Sequence, residues 1–284
     1  MGCSKCLIDT TVQFLEGSRK VVYMHHRRFL VEGHRYQSKR MMKYIIGSTI
    51  EVGHALERWD RHYVYNMVKN IKVAYGKKKK DGKINKRDTP PMDDVPFKKM
   101  SISFKYLPYW PNLAMRHSID GMHIKKNVFE SVIGILMDIK AKTKDGLKSQ
   151  EDLVCLESRP ELHPEDLGNR RHYLPAASYN LTNDEKRAIC LSLRGLKVPT
   201  GFSSNIKRLV SMKDLTLTGF NAHDCHMMLT CFLPIAIRAI KPVYVRMVIT
   251  RMCYFFNQIA WKEIREDELG DLKHFMAETM GQIE

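Results

Sequence analysis

The sequence predicts an α/β fold that gives way to a mainly α C-terminal region. Two short runs read as strands: Val21-Val22-Tyr23, and Ser101-Ile102-Ser103-Phe104 with its apolar/polar alternation. Two longer stretches, residues 50–75 and 123–139, carry apolar residues at steps of three and four, which places them on one helix face. A third, residues 223–264, reads as helical between prolines.

In chain order, residues 3–36 alternate short apolar runs with basic residues. The first helical stretch places Leu56, Trp59, Tyr63, Met67, Ile71 and Tyr75 in line. It ends at Gly76, where the run Lys77-Lys78-Lys79-Lys80-Asp81-Gly82-Lys83 cannot bury itself. The segment 76–96 is expected to be a linker, and Pro90 and Pro91 exclude helix from it. After the strand at 101–104, Leu107-Pro108-Tyr109-Trp110-Pro111 is rigid and aromatic. Ile124, Val128, Val132, Ile135, Leu136 and Ile139 then define an amphipathic helix.

Residues 141–181 read as loop-rich, with Pro160, Pro164 and Pro175. Thr182, followed three residues later by Glu185, matches a capping box and marks a helix start. The last helical region is expected to break near Pro234 and Pro242, and no closing element is evident beyond it. Three segments follow: 1–140, the connector 141–209, and 210–284.

Composition is that of an ordinary globular chain. With 284 residues, 44% hydrophobic and 27% charged, it excludes collagen, wholesale disorder and a disulfide scaffold. The outlier is a formal charge of +16, which favours polyanions. That charge is concentrated. Residues 1–100 hold 22 Lys and Arg against 10 Asp and Glu, so this is where a polyanion would bind if one binds, a solvated basic stretch being the alternative.

Seven cysteines without a preceding apolar leader point to a reduced, intracellular chain whose thiols are buried or ligate metal. The most apolar stretch, residues 231–240, is broken by Pro234 and Arg238. It is far short of the roughly 20 residues of a membrane span, so no membrane is expected.

Four groupings carry candidate chemistry. Cys3 and Cys6, two residues apart, can chelate one structural Zn²⁺ with His26 and His34. The imidazoles are spaced more widely than in a finger, and a merely buried pair is the alternative. Asp120-Gly121-Met122-His123 can set a carboxylate and an imidazole beside one metal ion, or Asp120 can cap the helix that follows. His223-Asp224-Cys225-His226 has the density of a ligand cluster, yet reads equally as the buried polar end of a helix. Lys77, Lys78, Lys79, Lys80, Lys83, Lys86 and Arg87 can neutralise phosphates without reading bases, and suit a nuclear localisation signal. The bland reading is a solvated linker. No phosphate-binding glycine loop, G-x-S-x-G or H-E-x-x-H occurs.

Particular strings go further. Leu107-Pro108-Tyr109-Trp110, and Arg116-His117-Ser118-Ile119-Asp120-Gly121-Met122-His123-Ile124-Lys125-Lys126-Asn127-Val128, closely resemble the plant En/Spm-type (CACTA) DNA transposases. So do Lys142-Thr143-Lys144-Asp145-Gly146-Leu147, the run from Lys197-Val198-Pro199-Thr200 to Ile206, Met212-Lys213-Asp214-Leu215, and His223-Asp224-Cys225-His226 with Leu233-Pro234-Ile235. Cys3, Cys6, His26 and His34 resemble the family's cysteine-rich insert.

The resemblance implies an RNase H-like core in which acidic residues hold two Mg²⁺ ions for phosphoryl transfer. It also implies, from about residue 210, the domain of unknown function that follows that core. On this alignment the chain begins at the insert, so the leading strands and their carboxylates are expected to be missing. Asp120 and His123 match the family motif, but Lys125 stands where the family usually has Glu, and an ammonium repels metal. Glu130 lies two turns beyond His123, about 10 Å along the axis, too far to substitute. The expected function is therefore a truncated, catalytically inactive, transposon-derived nuclear protein with residual unspecific DNA binding. The alternatives are a protein-interaction module, or a metal-dependent strand transferase completed by strands supplied in trans.

Overall fold

In the computed structural model the described residues are 12–23, 30, 32–34, 60–70, 106–112, 120–139, 142–143, 145–169, 171–203 and 205–283. The chain divides into two compact units. One is drawn from residues 1–13, 22–26 and 54–118, the other from 14–21, 27–53 and 119–284. The structure is helix-rich, and the described strands form three small antiparallel or hairpin pairs. That is compatible with an α/β class.

Strands β1 (Val12–Leu15) and β2 (Lys20–Tyr23) pair, which places the strand expected at Val21. Within the first unit, α1 (Arg61–Val68) lies inside the expected stretch 50–75. Asp60 caps it, accepting hydrogen bonds from the His62 and Tyr63 amides. Trp110 is buried in a short 3-10 turn, the one buried side chain of the rigid Leu-Pro-Tyr-Trp-Pro segment. The strand expected at 101–104 and the linker 76–96 lie outside the described residues.

The second unit is built on α2 (Gly121–Leu136), the amphipathic helix read from the sequence. Its inner face presents Phe129, Ile133 and Leu136 to a continuous core. Gly134 is required there: a Cβ would sit 2.8 Å from the Lys142 carbonyl oxygen, where the chain folds back against the helix.

Residues 141–181 contain a helix that the loop-rich reading missed, α3 (Leu147–Cys155). Its buried side chains are Gln150 and Asp152, so no apolar periodicity betrays it. Asp152 reaches the β1–β2 turn. Its two carboxylate oxygens accept the Gly17 amide at 2.8 Å and the Ser18 amide at 3.0 Å. The turn approaches α3 so closely that a Cβ on Gly17 would lie 2.6 Å from the Lys148 carbonyl oxygen.

Strands β3 (Glu165–Asp166) and β4 (His172–Tyr173) precede α4 (Asn183–Arg194), whose capping box forms as expected. Glu185 is nearly buried. Its carboxylate accepts Thr182 Oγ1 at 2.7 Å and the Lys241 amide at 2.7 Å, which ties the start of the next helical region to α4. Burial alone would raise its pKa, but these hydrogen bonds outweigh burial and hold it below 4.5. Strands β5 (Val210–Ser211) and β6 (Thr216–Leu217) pair antiparallel and close the core from one side.

The chain then runs through α5 (Ala222–Met227), a π-helical turn over Met228–Phe232, and α6 (Leu233–Ala236). Pro234 does not break this segment as expected. Proline has no N–H to offer the carbonyl four residues back. That carbonyl, Thr230, instead accepts Asn257 Nδ2 at 3.2 Å, and the widened π turn absorbs the mismatch. The expected interruption at Pro242 is present, and α7 (Val243–Gln258) starts after it.

A closing element does exist, α8 (Glu266–Ile283). It carries an apolar repeat that the reading passed over, although its one fully buried residue is polar, Thr279. Arg251 of α7 clasps it, donating from Nε to Thr279 Oγ1 at 3.0 Å and from a guanidinium nitrogen to Glu278 at 3.1 Å, and stacking on Phe275 at 4.0 Å. Among the described cysteines, Cys190, Cys225 and Cys253 are buried, Cys231 half-buried and Cys155 exposed, all as free thiols.

Candidate functional site

The helices α2 and α5 meet where two of the sequence motifs lie. Asp120 sits just before α2 with extended backbone, and its carboxylate accepts the Met122 amide at 3.0 Å and the His123 amide at 3.1 Å. The capping role is therefore realised. Asp120 and His123 both stay exposed on the first turn.

One turn further on, Lys125 points inward with 6% of its surface exposed. Its Nζ lies 3.1 Å from His226 Nδ1 on α5. An ammonium can only donate, so His226 Nδ1 is the acceptor and its proton resides on Nε2. Burial lowers the pKa of Lys125. Burial also lowers that of His226, and the charges of Lys125 and His223 add to it. His226 is thus held neutral, which the bond to Lys125 requires.

The rest of the His-Asp-Cys-His string is structural. Asp224 is buried and closes a capping box with Asn221, accepting its amide while the Asn221 side chain accepts the Asp224 amide at 2.8 Å. Cys225 belongs to the core, and burial, with the Glu130 carboxylate second, pushes its thiol up to about 11. His223 and His226 do share a face, with ring centroids 6.3 Å apart. Thr230 Oγ1, in the π turn, donates to the His226 carbonyl at 2.8 Å and steadies that end of α5.

This donor set does not suit a pair of divalent metals. The Asp120 carboxylate is committed to two amides, Glu130 faces Lys142 at 3.4 Å, and a lysine ammonium occupies the inner position. Among the described residues no three His, Cys, Asp or Glu side chains converge as a ligand group. Of the zinc set, His34 is half-buried, whereas Cys3, Cys6 and His26 lie outside the described residues, as do Lys77, Lys78, Lys79, Lys80, Lys83, Lys86 and Arg87. No described helix is long and apolar enough to cross a membrane.

The joint itself was not read from the sequence, since its two halves stand 101 residues apart. A signal was nonetheless present. Lys125, Phe129, Ile133 and Leu136 fall at helical spacing, so a lysine continues the apolar stripe of α2.

No family model matches the chain, and neither a curated protein nor a solved structure matches it.

Proposed function

We propose that this chain is a transposon-derived protein of the En/Spm (CACTA) type that holds DNA without sequence preference and does not cut it. The observation that carries the reading is the packing of α2 on α5. Two strings that resemble the same family, far apart in sequence, meet there, and Lys125, where this chain departs from the family, lies beside His226. Such a meeting is expected if both strings belong to one inherited site rather than to chance similarity.

Loss of cutting follows from the charge at that site. A buried ammonium beside the Asp120 turn opposes a divalent metal, and the Asp120 carboxylate serves as a helix cap. The finer fold in this reading is a partial RNase H-like core. Cys3, Cys6, His26 and His34 would take one structural Zn²⁺, and the nucleus is the expected location, with Lys77 to Lys80 as import signal.

DNA binding is assigned to the basic residues around Lys77 to Arg87, which would contact phosphates. The test is a salt titration of duplex binding for the full chain and for a variant with Lys77, Lys78, Lys79 and Lys80 changed to Gln. The slope of log affinity against log salt should flatten by up to ~0.9 per lost contact. An unchanged slope refutes the assignment. Nicking of duplex DNA with Mg²⁺ or Mn²⁺ that disappears in Asp120→Ala refutes inactivity.

A further inference from the structure

The helix α8 shows the second unit an incomplete face. Leu269, Leu272, Met276, Met280 and Ile283 recur at steps of three, four, four and three, one stripe along the helix. Clasping by Arg251 engages other positions, Phe275, Glu278 and Thr279. Of the stripe, only Met276 packs against the core, at its middle. Leu269, Met280 and Ile283 remain 52%, 44% and 46% exposed. Three half-exposed large apolar side chains on one regular stripe are a feature of helices that pair.

The stripe identifies its own complement. Its spacing reads the same in both directions about Met276. Two copies of α8 laid antiparallel across a two-fold axis at Met276 therefore set Leu269 against Ile283 of the other copy and Leu272 against Met280. A self-complementary patch is what a two-fold interface demands. Charge agrees. The first half of α8 carries Glu266, Glu268 and Asp271, with Lys273 as the opposing charge and Asp267 already paired to Arg265, and it would lie along the other copy's C-terminal half. There α8 runs beside the start of α7, held by the Tyr244 hydroxyl donating to the Gln282 carbonyl at 2.6 Å. That start is flanked by Arg238, Lys241 and Arg246.

We infer that the protein self-associates as a two-fold dimer through antiparallel pairing of α8. This interface is independent of the DNA reading and stands whether or not that reading holds.

Light scattering on the eluting full chain at tens of micromolar should give twice the 33.1 kDa chain mass. Leu269→Lys with Met280→Lys, both at exposed positions, should return it to the chain mass with unchanged helical circular dichroism. Register has its own test. Mixing Leu269→Cys with Ile283→Cys chains should give a disulfide between positions 269 and 283. Leu269→Cys alone should not link to itself, because the two copies of residue 269 stand about 21 Å apart along the axis. A monomer at that concentration, a dimer indifferent to the lysine pair, or a self-linked Leu269→Cys chain overturns the inference.

Discussion

Two helix joints in the same unit are built on opposite plans. Where α2 meets α5, contact is apolar throughout: Phe129 packs edge-on against Phe220 with ring centroids 5.0 Å apart, over Cys225 and Leu229, and a single polar pair, Lys125 and His226, is admitted. Where α7 meets α8, a polar clasp centred on Arg251 sits beside one aromatic pair, Tyr254 and Phe275, and much of the apolar surface of α8 is left outside. The first plan gains from area removed from water and tolerates a buried charge only because a neutral imidazole accepts its hydrogen bond. The second gains little from burial and depends on hydrogen-bond geometry, so it should be the part of the unit that opens first.

Truncating Phe129 to Ala should have the largest effect, a loss of about 3–5 kcal/mol in urea unfolding, because it opens a cavity at a fully packed position. A loss under about 1 kcal/mol would mean that the α2–α5 joint is not the core it resembles.

Acid should act next, and in two stages. His226 has a folded pKa below its ordinary 6.5, so the unfolded chain takes up that proton first. Stability therefore falls as pH is lowered through 6.5 toward the folded value. Glu185, held below 4.5, contributes stability that is present above 4.5 and lost as pH falls through its own folded value. Lys125→Met should flatten the first stage and spare the second. Melting curves between pH 8 and pH 3 separate them, and an identical first stage in Lys125→Met would detach Lys125 from His226.

At the other joint, Arg251→Ala should cost roughly 1.5 kcal/mol, since several hydrogen bonds are lost but little apolar area. Amide exchange should quicken in α8 and leave α2 unaltered. Glu278→Gln should be the mildest change, within about 0.2–1 kcal/mol, because that ion pair is partly solvated. If Glu278→Gln matched Arg251→Ala, the clasp would reduce to that one pair.

Legibility followed the same division. The helix α2 and the α4 capping box were readable because their signals are local: an apolar repeat and a Thr three residues before a Glu. The helix α3 was not, because its buried residues are Gln150 and Asp152, while α8 carries an apolar repeat that was passed over. Asp152 finds its amides 135 and 134 residues away, and Thr279 meets Arg251 28 residues away, so neither pairing is a local signal. The same reason hid the pairing of Lys125 with His226, although each residue sat inside a string already singled out. Pro234 misled in the other direction, since its cost was met by a side chain, Asn257, from the next helix, α7.

The carboxylate of Asp152 also sets an order of events during synthesis. The turn it holds, at Gly17 and Ser18, leaves the ribosome before the oxygens that satisfy those two amides, which come 135 and 134 residues later. At about 5–20 residues per second, that is a wait on the order of ten seconds or more. Through it the β1–β2 turn has only water for those amides, and an isolated two-stranded hairpin is marginal in water. The hairpin is thus made well before it can be fixed. A ribosome-bound chain stopped just before Asp152 should leave this turn open to protease, and one extended well past α3 should protect it.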